Sequence, residues 1–197
     1  MKNLYDENYF NSGNYIGGYL GRSERYKRLS EEIYFLLRDV FLLDKDDNIL
    51  DYGCAAGLLL DGFKELGFEK TFGYDISEWA LDQVDKDSHH IIELEEKQKF
   101  EMAFFLDVLE HMTDSDICDV FNKLNFEKFI VRIPCSTDGK TFHLPQSRLD
   151  KTHINCKIKK DWIALFDKLG YELVFRFNLH QIYDTDGVFC ALFKLKG

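Results

Sequence analysis

No apolar run in this chain approaches the roughly 20 residues that a membrane-spanning helix requires, and the polar stretch Met1 to Asn8 lacks the apolar segment of a signal peptide. These two absences predict a cytoplasmic protein with no membrane partner. The five cysteines, Cys54, Cys118, Cys135, Cys156 and Cys190, include no C-x-x-C pair, so they read as reduced thiols and not as a disulfide framework. A basic stripe is missing too. The net charge is −10 and the basic residues are scattered among acidic neighbours, which argues against nucleic acid as the main substrate. The nearest approach to a basic patch is Arg22, Arg25, Lys27 and Arg28. Internal repeats and low-complexity tracts are absent as well. What remains is a chain of 197 residues, 45% hydrophobic, suited to one domain. A domain of that size buries roughly 70% of its unfolded surface.

The most informative segment is Ile-Leu-Asp-Tyr-Gly-Cys-Ala-Ala-Gly, residues 49 to 57, followed later by Gly73-Tyr74-Asp75. The apolar run 48 to 52 reads as a buried strand, Gly53 and Gly57 bracket a tight turn, and 58 to 66 has helical period. Strand, turn and helix in that order open a Rossmann-like nucleotide-binding unit. Asp75 ends the next apolar run, where an acid can take two ribose hydroxyls. The dinucleotide fingerprint G-x-G-x-x-G is not met, because Ala55 and Leu58 stand at its second and third glycines.

With Asp51 two residues before Gly53, this segment instead resembles motif I of class I S-adenosylmethionine (SAM) methyltransferases, save for Ala55. A methyl group there suits a tight turn if φ is negative, which predicts reduced conformational freedom and intact binding. Phe100 to His111, Lys128 to Pro134, and Trp162 to Val174 are similar to the family's fourth strand with its following segment, its fifth strand, and its last helix entering strand six. The resemblance spans residues 48 to 196. It implies an α/β fold with a seven-stranded, mostly parallel sheet of order 3-2-1-4-5-7-6, strand seven antiparallel, and helices on both faces. SAM is the cofactor it implies. Gly53, Cys54, Ala55 and Gly57 would lie against its methionine portion, Asp51 would serve the ammonium or a water, and Asp75 would hold the ribose. Ile76 would flank the adenine, and Leu106 or Asp107 would lie beneath the methionine end.

Periodicity supports alternating elements: strand 48–52, helix 57–67, strand 70–75, helix 77–85, strand 89–94, strand 100–107, helix 114–124, strand 128–133 and helix 159–169. Two strand-like runs, 171–182 and 187–195, are joined by Tyr-Asp-Thr-Asp, turn chemistry suited to a hairpin. Ahead of them, residues 24 to 43 have amphipathic helical spacing. Residues 1 to 23 carry tyrosines among glycines and read as a lid over residues 24–197, excluding water from the reaction.

Methyl transfer from a sulfonium is an in-line displacement, in which alignment alone can supply about 7–11 kcal/mol. A hydroxyl acceptor also benefits from losing a proton, for which His111, His143 and His153 are the candidate bases. Asp107, Glu110 and His111 form D-x-x-E-H, similar to the E-x-x-E-H of metal-using O-methyltransferases of ubiquinone synthesis and small-RNA 3′-end modification. That likeness implies an alternative in which Asp107, Glu110, His111 and His153 hold Mg²⁺; the primary reading uses no metal. Cys135, His143, His153 and Cys156 match no common zinc spacing. Residues 135 to 153 read as an acceptor-side loop with Phe142, His143, Gln146 and Arg148 as contacts.

The expected activity is thus SAM-dependent methylation of a small molecule or sugar, at oxygen. The alternatives are a metal-assisted RNA 2′-O-methyltransferase, a SAM-binding protein without turnover, and a nicotinamide-dependent oxidoreductase.

Overall fold

Strand β1, Ile49–Tyr52, is buried at all four positions, as a central parallel strand covered on both faces must be. The computed structural model describes residues 4–11, 15, 17–40, 42–94, 98–182 and 187–197. In chain order the elements are α1 (Glu7–Phe10), α2 (Ser23–Arg38), β1, α3 (Leu58–Glu65), β2 (Thr71–Tyr74), α4 (Glu78–Leu81), β3 (His90–Ile91) and β4 (Lys99–Leu106). They continue with α5 (Asp114–Lys123), β5 (Asn125–Pro134), α6 (Pro145–Leu149), α7 (Lys159–Lys168), β6 (Tyr171–Arg176) and β7 (Val188–Leu195). The sheet has seven strands in the order β3-β2-β1-β4-β5-β7-β6. β7 runs antiparallel to both of its neighbours. Among the described residues no helix is long and apolar enough to cross a membrane.

The chain divides into two compact units, residues 1–93 with 179–182 and residues 94–178 with 183–197. In the first, β1 and β2 pair in parallel with Asp51 opposite Gly73 and Tyr52 opposite Tyr74, so both strands end at one edge. Helix α3 crosses α2 closely at Gly62, where a β-carbon would fall on Ser30 Oγ and 3.0 Å from Lys27 Cα. Ser30 is buried and its hydroxyl donates to Lys27 O at 2.7 Å, so it has no room to yield. Gly62→Ala is therefore expected to destabilise the protein. Overpacking of about 1–3 kcal/mol exceeds the ~1 kcal/mol that alanine gains over glycine in a helix. A lower urea midpoint checks this.

In the second unit, β4 and β5 pair in parallel, and Phe104, Phe105, Phe126, Phe129, Phe166, Phe193 and Trp162 are almost wholly buried. Several expected boundaries differ. The helix expected over 77–85 stops at Leu81, because the Asp85 carboxylate accepts from Asp87 N at 3.1 Å and Ser88 Oγ at 2.6 Å and holds a turn instead. The strand expected over 171–182 ends at Arg176. Beyond it, His180 N and Gln181 N donate to the Glu32 carboxylate at 2.8 and 3.2 Å. Tyr183 to Asp186, expected as a hairpin turn, lie outside the described residues.

Candidate functional site

The turn after β1 is built around Asp75. Gly53 N and Cys54 N donate to Tyr74 O at 2.7 and 3.0 Å, which clamps the turn to the end of β2. Ala55 N donates to Asp75 Oδ2 and Ser77 N to Asp75 Oδ1, each at 2.8 Å. Gly57, with φ 77°, caps α3 and lies where a β-carbon would press on Val84 Cγ1 at 3.3 Å. Ala55 departs from the sequence expectation, for its φ is +48°, in the left-handed region. That conformation costs a non-glycine residue about 1–2 kcal/mol. The charge-assisted bond to Asp75, of about 1.5–3 kcal/mol, is of the size needed to hold it. Asp75 thus shapes the turn as well as presenting a carboxylate.

The surroundings favour a cation. Asp51 is 5% exposed. Burial, with the Asp75 carboxylate adding to it, pushes the Asp51 pKa up from 3.8 to about 8. Burial also raises that of Asp75, against the backbone N–H groups of Ser77, Ala55 and Ile76. Because folded Asp51 holds its proton more tightly than the unfolded chain does, its contribution favours folding below about pH 4 and is lost as pH rises toward 8. The unliganded protein should therefore lose stability across that window, by at most about 6 kcal/mol from this group. Asp51→Asn should flatten the dependence, as read by urea unfolding at either end of the range.

Aromatic residues of the N-terminal segment cover this turn. Phe10 and Tyr19 share one buried cluster with Ala55, Ala56, Leu58 and Ala80, and Tyr5, Tyr9, Tyr15, Tyr26 and Trp79 pack against it. Phe10 stacks on Trp79 with ring centroids 5.2 Å apart, and Ser77 Oγ donates to Tyr5 O at 2.5 Å. Residues 1–3, 12–14 and 16 of the expected lid lie outside the described residues. Ile76 is half-buried beside Asp75.

The second unit carries a separate polar group. Glu110, on the helical turn Leu109–His111, is fully buried. Among the described residues neither of its carboxylate oxygens has a hydrogen-bond partner, nor has His153 Nδ1. Glu110, His111 and His153 each offer a ligand atom within 4.8 Å of the others. His111 Nε2 and His153 Nε2 both lie 3.9 Å from Glu110 Oε1, and His153 Nε2 lies 3.8 Å from Asp150 Oδ2. The backbone brings them together: Glu110 O accepts from Ile154 N and Asn155 N, both at 2.9 Å. Asn155 Nδ2 is tied in turn to Met112 O and Asp114 Oδ1, at 2.9 Å each. Burial raises the Glu110 pKa well above the carboxylate range, with Asp107 adding to it. It lowers that of His111 to about 4, helped by His153, and lowers that of His153 as well. Two neutral imidazoles beside an unpartnered carboxyl fit a divalent cation, which would replace the proton on Glu110.

Asp107 does not join this group. Its φ is +56°, its N–H donates to Arg132 O at 2.8 Å, and its carboxylate is ion-paired with buried Arg132 Nη1. Leu106 ends β4 opposite Arg132. His143 is exposed and stands outside the group. The expected loop 135–153 contains α6, with Phe142 buried. Arg148, read as an acceptor contact, donates to Phe142 O and His143 O at 2.7 Å each and so braces the loop backbone. Gln146 is exposed. Sequence reasoning passed over Asp150, Thr152 and Arg132; the first two fell in a stretch without periodicity, and Arg132 sits inside an apolar strand.

Residues 22–175 match the methyltransferase domain family. A search of curated proteins finds no match. Among solved structures, magnesium protoporphyrin IX methyltransferase (ChlM) from Synechocystis PCC 6803 with bound SAH is similar over 100% of both chains, at 15% identity and a TM-score of 0.65. A SAM-dependent methyltransferase from Clostridium acetobutylicum ATCC 824 is similar over 87% of this chain and 92% of its own, with 16% identity and a TM-score of 0.64. The methyltransferase domain of bacterial CtHen1-C is similar over 87% and 98%, with 18% identity and a TM-score of 0.61. On the extent of the family match, the chain belongs to the methyltransferase domain family.

Proposed function

We propose that this protein transfers the methyl group of SAM to a hydroxyl of a small molecule or sugar. The observation that carries this reading is the Asp75 carboxylate, fixed at the end of β2 by two 2.8 Å bonds from Ala55 N and Ser77 N. Each of its oxygens keeps acceptor capacity for a ribose hydroxyl. Buried Asp51, which resists losing its proton without a cation beside it, is matched to the ammonium of the methionine portion. Gly53, Cys54, Ala55 and Gly57 present backbone to that portion, and the aromatic residues Tyr5, Tyr9, Phe10, Tyr15 and Tyr19 act as a lid on it. The similar magnesium protoporphyrin IX methyltransferase is known with bound SAH and with bound SAM, which supports SAM as the cofactor. Calorimetric titration with S-adenosylhomocysteine tests the proposal: a binding isotherm with no response to nicotinamide dinucleotides supports it, and the reverse overturns it.

A second reading, metal assistance, is favoured by the unpartnered Glu110 carboxyl beside His111 and His153. These three residues would hold a divalent cation, which when bound would supply Lewis acidity to an acceptor hydroxyl. The protein's own contribution is to exclude water and keep both imidazoles neutral, so that a nitrogen lone pair is available to a metal or a proton. The overall charge of −10 favours a small-molecule or sugar acceptor over RNA.

A further inference from the structure

We infer that Asp150 and Thr152 form a relay that fixes His111 in its Nδ1–H tautomer and turns the Nε2 lone pair toward Glu110 and His153. This rests on the reading of Glu110, His111 and His153 as a functional group and names the residues that orient it. Thr152 Oγ1 lies 2.5 Å from Asp150 Oδ1 and 2.9 Å from His111 Nδ1. A hydroxyl has a single proton and a carboxylate only accepts, so the contact with Asp150 consumes that proton. Thr152 Oγ1 can then meet His111 Nδ1 only as an acceptor, and Nδ1 must carry the hydrogen. On a neutral ring this leaves Nε2 unprotonated, at 3.9 Å from Glu110 Oε1. Asp150 is itself held in place, since Thr152 N donates to the same Oδ1 at 2.9 Å and His153 N donates to Asp150 O at 3.3 Å. The relay therefore begins and ends within the turn that delivers His153, so one loop both supplies one imidazole and sets the proton position of the other.

A ring N–H that donates to a carboxylate, carbonyl or water raises the basicity of the opposite, ligating nitrogen and locks its orientation, and here a hydroxyl polarised by a carboxylate takes that acceptor's place. Thr152 is thus a positioning residue: it acts through His111, and its hydroxyl is needed while its methyl group is not.

Histidine labelled with ¹⁵N, observed by long-range proton–nitrogen correlation in the full chain stripped of metal, reads the tautomer directly. His111→Gln assigns the signal. The expected result is a protonated Nδ1 and a bare Nε2 on His111, kept in Thr152→Ser and lost in Thr152→Val, whose backbone spectrum otherwise matches the native one. A bare Nδ1 in the native protein, or an unchanged tautomer in Thr152→Val, overturns the relay. Titration with Co²⁺ then separates this from the reading beneath it. If the cluster takes the ion, Thr152→Val should weaken binding by about 10–100-fold while Thr152→Ser stays near native. Absence of Co²⁺ binding in the native protein would remove the metal but leave the tautomer, measured without metal, standing.

Discussion

Asp75→Ala is expected to weaken S-adenosylhomocysteine binding by about 1.5–3 kcal/mol, roughly 10- to 150-fold, the scale of lost hydrogen bonds to a charged group. The carboxylate would lose its ribose partners, and the turn would lose its anchor. Without the 2.8 Å bond to Ala55 N, the alanine at φ +48° has less to hold it in the left-handed region. Two effects of different kind are therefore folded into one substitution, and a double-mutant cycle separates them. Ala55→Gly removes the strain that Asp75 offsets, because glycine adopts positive φ at little steric cost. Combined with Asp75→Ala it should recover part of the stability loss seen in urea and none of the loss in ligand affinity. Recovery of both would mean that Asp75 serves the turn alone, and unchanged affinity in Asp75→Ala would remove it from the ribose site.

The parts of this site legible in the sequence are those that local chain carries. The apolar run into Gly53, the helix after Gly57 and the acid closing the next apolar run are short-range patterns, and β1, α3 and β2 stand where those patterns put them. The sheet order followed from resemblance and not from periodicity. What escaped is the long-range chemistry that overrides local expectation. A negative φ at Ala55 was reasonable for an alanine in isolation; the carboxylate that reverses its sign is contributed from the end of another strand.

In D-x-x-E-H, spacings of three and four would place Asp107, Glu110 and His111 on one face if the stretch were helical. Yet the Asp107 φ of +56° breaks the helical geometry at that residue, and Arg132, concealed in the apolar strand Phe-Ile-Val-Arg-Ile-Pro, takes the carboxylate. His143 looked equivalent to His111 and His153 as a residue type. The hydrogen bonds from Ile154 N and Asn155 N to Glu110 O, with those of the Asn155 side chain to Met112 O and Asp114 Oδ1, bring His153 to the carboxyl.

Glu110 provides the sharpest division between a structural and a functional carboxyl, because the two roles predict opposite signs of stability change. A buried polar group without a partner costs about 1–3 kcal/mol. If its purpose is to meet a cation, Glu110→Met, which fills similar volume without a polar atom, should stabilise the metal-free protein by up to that amount. If Glu110 braces the fold through bonds of its own, the same change should destabilise it. The metal arm uses Glu110→Gln, which keeps shape and removes charge. Losing the one carboxylate among two imidazoles should weaken Mn²⁺ or Co²⁺ binding by at least about 100-fold, since even supporting residues around a metal are worth 10–100-fold.

Because Asp107 is held by Arg132, the remaining set is two nitrogens and one oxygen, which suits Mn²⁺, Co²⁺ or Zn²⁺ better than Mg²⁺ with its demand for oxygen ligands. Titrating each ion at one common concentration into chelator-treated protein should therefore raise the thermal midpoint in the order of imidazole preference, an ion present at a hundredfold excess over its dissociation constant adding about 2.7 kcal/mol of stability. Glu110→Gln should show no such rise. An unshifted midpoint with every ion in the native protein, together with a destabilised Glu110→Met, would make Glu110 a structural acid and leave any proton removal to the candidate bases His111, His143 and His153 without a metal.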